Sequence, residues 1–163
     1  METVPPIVGR GLFLDIAGLK GVDRLEDGYE ISVADISTAL DALGEAIRPG
    51  DVVLVRTGKI GQAGDLGAFL EAEPGVGRNA AEWLHEQGMS VLATDTPGTE
   101  PTPFRAPSDT THRAMLVERG VHLIENCDLE ALSRDGIPRG LFIALPLKIT
   151  GATGSWIRPV LIA

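Results

Sequence analysis

The segment TTHRAMLVERGVHLIEN, residues 110–126, sets a histidine before a helical stretch and a glutamate at the end of a short apolar run. An imidazole and a carboxylate are both ligands for divalent cations, so His112 and Glu125 are candidates for one metal site. The same pair also fits a surface histidine and a solvated carboxylate, and spacing alone leaves both readings open. Thr111 and Asp109, beside His112 in the chain, are candidates for orienting its ring.

The other two histidines read as structural. His85 closes the stretch AAEWLHEQG, where a partly cationic ring suits a helix C-terminus, and His122 alternates with Val121 and Leu123 in a strand pattern. PGVGRNA has glycines at dinucleotide-like spacing but follows EAEP rather than a strand, so a pyrophosphate would lack its usual cradle. GATGSW lacks the GK[ST] ending of a phosphate loop, and no GxSxG elbow is present. The lone cysteine, Cys127, reads as a buried thiol.

Any such site needs elements to hold it. GLFLDIA (11–17), DVVLVRTG (51–58) and MSVLATD (89–95) read as strands, the second covered on both faces because its apolar run is nearly continuous and β-branched. Val33, Ile36, Leu40, Leu43 and Ile47 recur at helical spacing. Ser32 and Asp35 form a capping box with Asp in place of Glu, and Pro49-Gly50 is expected to stop that helix. A second helix is expected at 78–87 with Ala80, Trp83 and Leu84 inward, and a third from Thr110 to Arg119. TPGTEPTPFRAPSD, with four prolines, must be an irregular loop at the rim of a site. VHLIEN, a short helix DLEAL, and two final strands (GLFIALPL and SWIRPVLIA) follow. Strand and helix alternate and then strands dominate, which points to an α/β layered sheet, mostly parallel in the middle with extra strands at its end. With no internal repeat and no linker, residues 1–163 read as one domain.

Composition excludes several functions. Fourteen Lys and Arg are scattered among 23 acids for a net charge of −9, which argues against a nucleic-acid partner. No apolar run approaches the roughly 18 residues of a membrane span. The first residues lack a secretory pattern, and a single cysteine cannot form an internal disulfide, so a cytoplasmic protein is expected.

PIVGRGLFLDIAG, IRPGDVVLVRTG, EPGVGRNAAEWLHEQGMSVLATDT, THRAMLVERGVHLIENCDLEAL and LFIALPLKITGATGSWIRPV occur in that order. Together they resemble the cyclase family of metal-dependent hydrolases, which includes bacterial kynurenine formamidases. The resemblance runs from about Pro6 to Val160. It implies a β/β/α layered fold of swivelling type, assembly into dimers or tetramers, and a zinc or manganese ion that activates water against an amide or lactone carbonyl. His112 and Glu125 would be ligands, and Asp95, with Thr96, Thr111 and Arg56, would line the pocket. The family's upstream signature H-x-G-T-H-x-D has no match here, nor has its proton-transferring histidine, and Lys59 stands where relatives often carry Trp. The expectation is therefore that the missing ligands come from another chain or an absent segment; the alternative is a truncated, non-catalytic member acting in binding or assembly. A sheet edge or apolar face that the missing segment would cover is expected to promote self-association.

Overall fold

A computed structural model describes residues 1–103, 106 and 109–163. Its strands are β1 (Ile7–Asp15), β2 (Glu30–Ile31), β3 (Val52–Arg56), β4 (Gly75–Val76), β5 (Val91–Thr94), β6 (His122–Ile124), β7 (Arg139–Ala144) and β8 (Val160–Ile162). Six form one sheet in the order β6-β5-β3-β1-β7-β8, while β2 and β4 pair separately. β6, β5, β3 and β1 run parallel, and β7 pairs antiparallel with β1 on one side and β8 on the other. This is the mixed, largely parallel α/β sheet expected, with its extra strands at one end.

The pattern of burial follows from what covers each strand. Every residue of β3 is buried, as a central parallel strand with packed layers on both faces requires. Leu12, Leu14, Val53, Val55 and Leu92 point to one side. There they meet α1 (Ile16–Leu19), α2 (Val33–Leu43), α4 (Arg78–Glu86) and a π-helix (Arg113–Arg119) through Ile36, Leu40, Leu84 and Met115. Phe13, Leu54, Ala93 and Phe142 face the other side, against Cys127, Leu129 and Leu132 from the segment that leads into and forms α5 (Glu130–Arg134). Cys127 is buried as expected, and burial pushes its thiol up to about 12.

Three boundaries differ from expectation. The capping box of Ser32 and Asp35 is made, but α2 ends at Leu43 because Gly44 turns left-handed, and Gly44 and Glu45 donate back to Asp41 and Leu40. Ile47 then reaches the core from a loop. In the final segment only Val160–Ile162 pairs, since Pro159 has no N–H to give and restricts Arg158. The third helix winds as a π-helix from Arg113 to Arg119, closed by left-handed Gly120. Positions 104, 105, 107 and 108 of the proline-rich loop lie outside the described residues.

Candidate active site

Because β1, β3, β5 and β6 are parallel, their carboxyl ends open on one edge of the sheet, the usual place for sites in such folds. Asp95 follows β5 and is wholly buried. Its carboxylate accepts from the Thr57 N–H at 2.9 Å, the Thr57 hydroxyl at 2.7 Å and the Gly58 N–H at 2.7 Å. Burial pushes its carboxyl above the ordinary range, against these hydrogen bonds. Asp95 thus clamps the turn after β3 to the end of β5. Thr96, also buried, donates to Gly98 O and is within 3.0 Å of the Thr94 hydroxyl.

The chain then doubles back through residues 96–100. The Gly98 N–H donates to both oxygens of Glu73 at 3.0 Å, and Thr99 O accepts from Val76 N at 2.8 Å. Two glycines make this path possible. A Cβ on Gly75 would sit 2.3 Å from the Glu100 carbonyl carbon, and one on Gly98 would sit 2.8 Å from Glu73 Oε1.

This path brings His112 and Glu125 together. Glu125 lies one residue past β6, and His112 precedes the π-helix. His112 Nε2 is 3.1 Å from Glu125 Oε1. The other ring nitrogen, Nδ1, is 2.5 Å from Glu100 Oε2, which also accepts from the His112 backbone N–H at 3.2 Å. Thr99 Oγ1 donates to Glu125 Oε1 at 3.2 Å. The hydrogen bonds to Glu100 and Glu125 raise the His112 ring to about 10. Burial raises Glu73 to about 7, aided by the charges of Glu125 and Glu100 and opposed by the Gly98 N–H and Lys59.

The remaining residues expected at the pocket serve other contacts. The Thr111 hydroxyl, buried, donates to Val76 O at 2.6 Å, and Asp109 Oδ1 lies 3.9 Å from Arg78 Nε. The side-chain contact of the His112 Nδ1 is with Glu100 rather than with either of these. Arg56 binds both Glu130 oxygens, at 2.7 and 2.9 Å, and Asp15 at 3.0 Å. The Glu130 hydrogen bonds hold its guanidinium above the ordinary range, and it joins β3 to α5 and β1 rather than to His112. Lys59, wholly buried, donates to Asp27 Oδ1 at 3.0 Å and Ala68 O at 2.9 Å. Glu73, Thr99 and Glu100 were not singled out in the sequence; the signal available was an acid inside the proline-rich loop that follows a strand ending in Asp.

His112 and Glu125 border a cavity of about 620 Å³ whose walls include Leu116, Ile124, Trp156 and Ile157, a volume in the small-ligand range. The pair suits a divalent ion in kind: an imidazole nitrogen and a carboxylate oxygen 3.1 Å apart, close to the about 3.3 Å that separates two ligands of one tetrahedral zinc. In number the pair is incomplete, since no group of three His, Cys, Asp or Glu able to hold a metal occurs among the described residues.

Comparison with known proteins places the chain in a family. The kynurenine formamidase of Bacillus cereus is 31% identical over 109 residues, covering 67% of this chain and 48% of the relative; the chain spans about half the length of the curated relatives it matches. A crystal structure described as a novel cyclase superposes with a TM-score of 0.84 at 32% identity, over 96% of this chain and 53% of that one. An isatin hydrolase bound to the product analogue thioisatinate shares the fold, with a TM-score of 0.78 at 24% identity, over 94% of this chain and 59% of that one. A family model described as "Putative cyclase" matches residues 1–101, which takes in Glu73, Asp95 and Glu100. The chain belongs to the cyclase family.

Proposed function

We propose that this chain is part of a metal-dependent hydrolase that opens an amide or a lactone. In this reading His112 and Glu125 are two ligands of a zinc or manganese ion, and the remaining ligands come from another chain or a further segment. The observation that carries it is the convergence of His112 Nε2 and Glu125 Oε1 at 3.1 Å on the wall of the cavity. A divalent ion held there supplies Lewis acidity and a water of lowered pKa for attack on a carbonyl. Glu125 offsets the ion's charge, and His112 presents Nε2 to it. Leu116, Trp156 and Ile157 give an apolar wall for a ring-bearing substrate. Asp95, Thr96 and Thr111 act behind the pocket, fixing the turns that frame it, and Arg56 braces the neighbouring strand ends. The relatives described as kynurenine formamidase and isatin hydrolase make an N-formylated aromatic amine and a bicyclic lactam the substrates to try. The reading extends to a homo-oligomer, dimer or tetramer, located in the cytoplasm.

Metal analysis of the purified chain, alongside hydrolysis assays on those two substrates, tests this. Stoichiometric zinc or manganese that is lost in His112→Ala supports it. Protein that stays metal-free in excess zinc and inert towards both substrates sinks it.

One observation favours a second reading, a non-catalytic family member acting as a binding or assembly subunit: the described residues offer two converging ligands rather than three. Under that reading the chain binds a partner polypeptide or a ligand without turning over either substrate.

A further inference from the structure

Two consecutive residues reach the two metal-type ligands from behind. Glu100 accepts from both the ring Nδ1 and the backbone N–H of His112, and Thr99 donates to Glu125 Oε1. We propose that Glu100 is the positioning residue that aims His112 Nε2 into the site, with Thr99 doing the same for Glu125. The loop 96–100, and not the helix that carries His112, then sets the geometry of the pair. This rests on the reading of His112 and Glu125 as metal ligands.

An unrestrained imidazole can turn about its Cβ–Cγ bond and offer either nitrogen. A carboxylate on one nitrogen fixes which of them faces the metal and raises the ligand's basicity. Glu100 does this with a single oxygen that also holds the backbone of the same residue, so ring and main chain are referred to one point. That point is itself fixed. Glu100 is 12% exposed at its side chain, its backbone passes so close to Gly75 that a Cβ there would lie 2.3 Å from the Glu100 carbonyl carbon, and the loop is tied by Val76 N to Thr99 O and by Gly98 N to Glu73. Thr99 Oγ1 acts on the same Glu125 oxygen that faces His112 Nε2. Loop, imidazole and carboxylate are thus linked in one chain of contacts, from Glu100 through His112 and Glu125 to Thr99.

A purely structural Glu100 would stabilise the metal-free fold and leave zinc affinity unchanged; a positioning Glu100 changes zinc affinity. The test is Zn²⁺ affinity of the purified full chain, by competition with a chromophoric chelator, together with the melting temperature of each metal-free variant. Glu100→Ala is expected to weaken zinc binding by about 10- to 100-fold, the range for loss of a partner behind a metal-bound histidine. Glu100→Gln, whose carbonyl still accepts from Nδ1–H, is expected to recover most of that loss. Thr99→Val is expected to weaken binding several-fold. Where Glu100→Ala fails to fold, Glu100→Leu, which fills the space without an acceptor, takes its place. Wild-type affinity in the Glu100 variants, with His112→Ala binding no zinc, overturns this inference and leaves the metal reading intact. Wild-type chain binding zinc no better than His112→Ala overturns both.

Discussion

The two ends of the sheet are built on opposite principles. At the carboxyl ends of β3, β5 and β6, polar groups are buried: Asp95, Thr96, Thr99, Thr111, Glu73 and Glu100 are all at most 9% exposed, and each has a hydrogen-bond partner. At the antiparallel end apolar groups face solvent. Val8, Ile143 and Val160 stand in one row across β1, β7 and β8, and Leu141 is paired with Ile162 beside them. Of these, Val8, Leu141, Val160 and Ile162 are 45–58% exposed, and nearby Trp156 is 88% exposed. Burying a polar group is costly unless it finds a hydrogen-bond partner, so the first end is held by a fully paired network, and leaving large apolar groups in water forgoes the main source of stability. The first end gathers buried, paired polar groups, and the second presents an exposed apolar patch of the kind that marks interaction surfaces.

The sharpest way to break this comparison is to remove the group that makes the polar end a site. His112→Ala should abolish zinc and manganese binding and reduce any hydrolase activity by more than about 100-fold, checked by metal analysis and turnover of the substrates above. Next in size is the clamp behind it. Asp95→Ala leaves the buried N–H groups of Thr57 and Gly58 without their acceptor, and should cost about 3 kcal/mol in urea denaturation. A loss comparable to that of an exposed surface substitution would show that Asp95 is dispensable to the frame.

The polar end should also give the metal-free protein a distinctive pH dependence. Glu73 is raised from 4.5 to about 7 and His112 from 6.5 to about 10. In both cases the folded state holds its proton where the unfolded state has released it, so stability falls as pH rises through each window. Asp35 works the other way: lowered to about 2 despite its burial, by Lys20 and Ser32, it makes stability fall as pH drops below about 4. Melting temperature should therefore peak near pH 4–5 and decline towards pH 10, and Glu73→Gln should make the decline between pH 4.5 and 7 shallower, leaving the share of Asp95, whose carboxyl burial also raises. A profile that instead rises from pH 5 to 9 would contradict these assignments. The smallest effect concerns the other end. Paired substitutions Val160→Lys and Ile162→Lys should reduce self-association of the chain by a few-fold in sedimentation at micromolar concentration, with little change in stability.

Much of the frame was legible in the sequence because it rests on local rules. The helical spacing from Val33 and the Ser32–Asp35 capping box give α2, and the continuous run of DVVLVR gives a strand buried on both faces. Periodicity does not report where a turn goes left-handed, so the end of α2 at Gly44 came earlier than its apolar spacing implied. His112 and Glu125 stood out because imidazole and carboxylate are recognisable ligands, but that they lie 3.1 Å apart depends on the docking of a helix start against a strand end. Glu73 and Glu100 were invisible for a related reason. Their burial follows from close backbone passage at Gly75 and Gly98, and a glutamate in a proline-rich stretch reads as solvated until that passage is known. Arg56 shows the converse: the family resemblance puts it at the pocket, whereas its charge is met by Glu130 and Asp15.

The π-helix from Arg113 to Arg119 bears on how such sites are recognised at all. Its i→i+5 bonding encloses one residue more per hydrogen-bonded ring than an α-helix does, so the segment takes up more chain per turn than a regular helix would. Across it, His112 and Glu125 are opposed at 3.1 Å. A relative with a regular α-helix at this place would carry the pair one position closer in sequence, and a fixed-spacing pattern written for one chain would pass over the other.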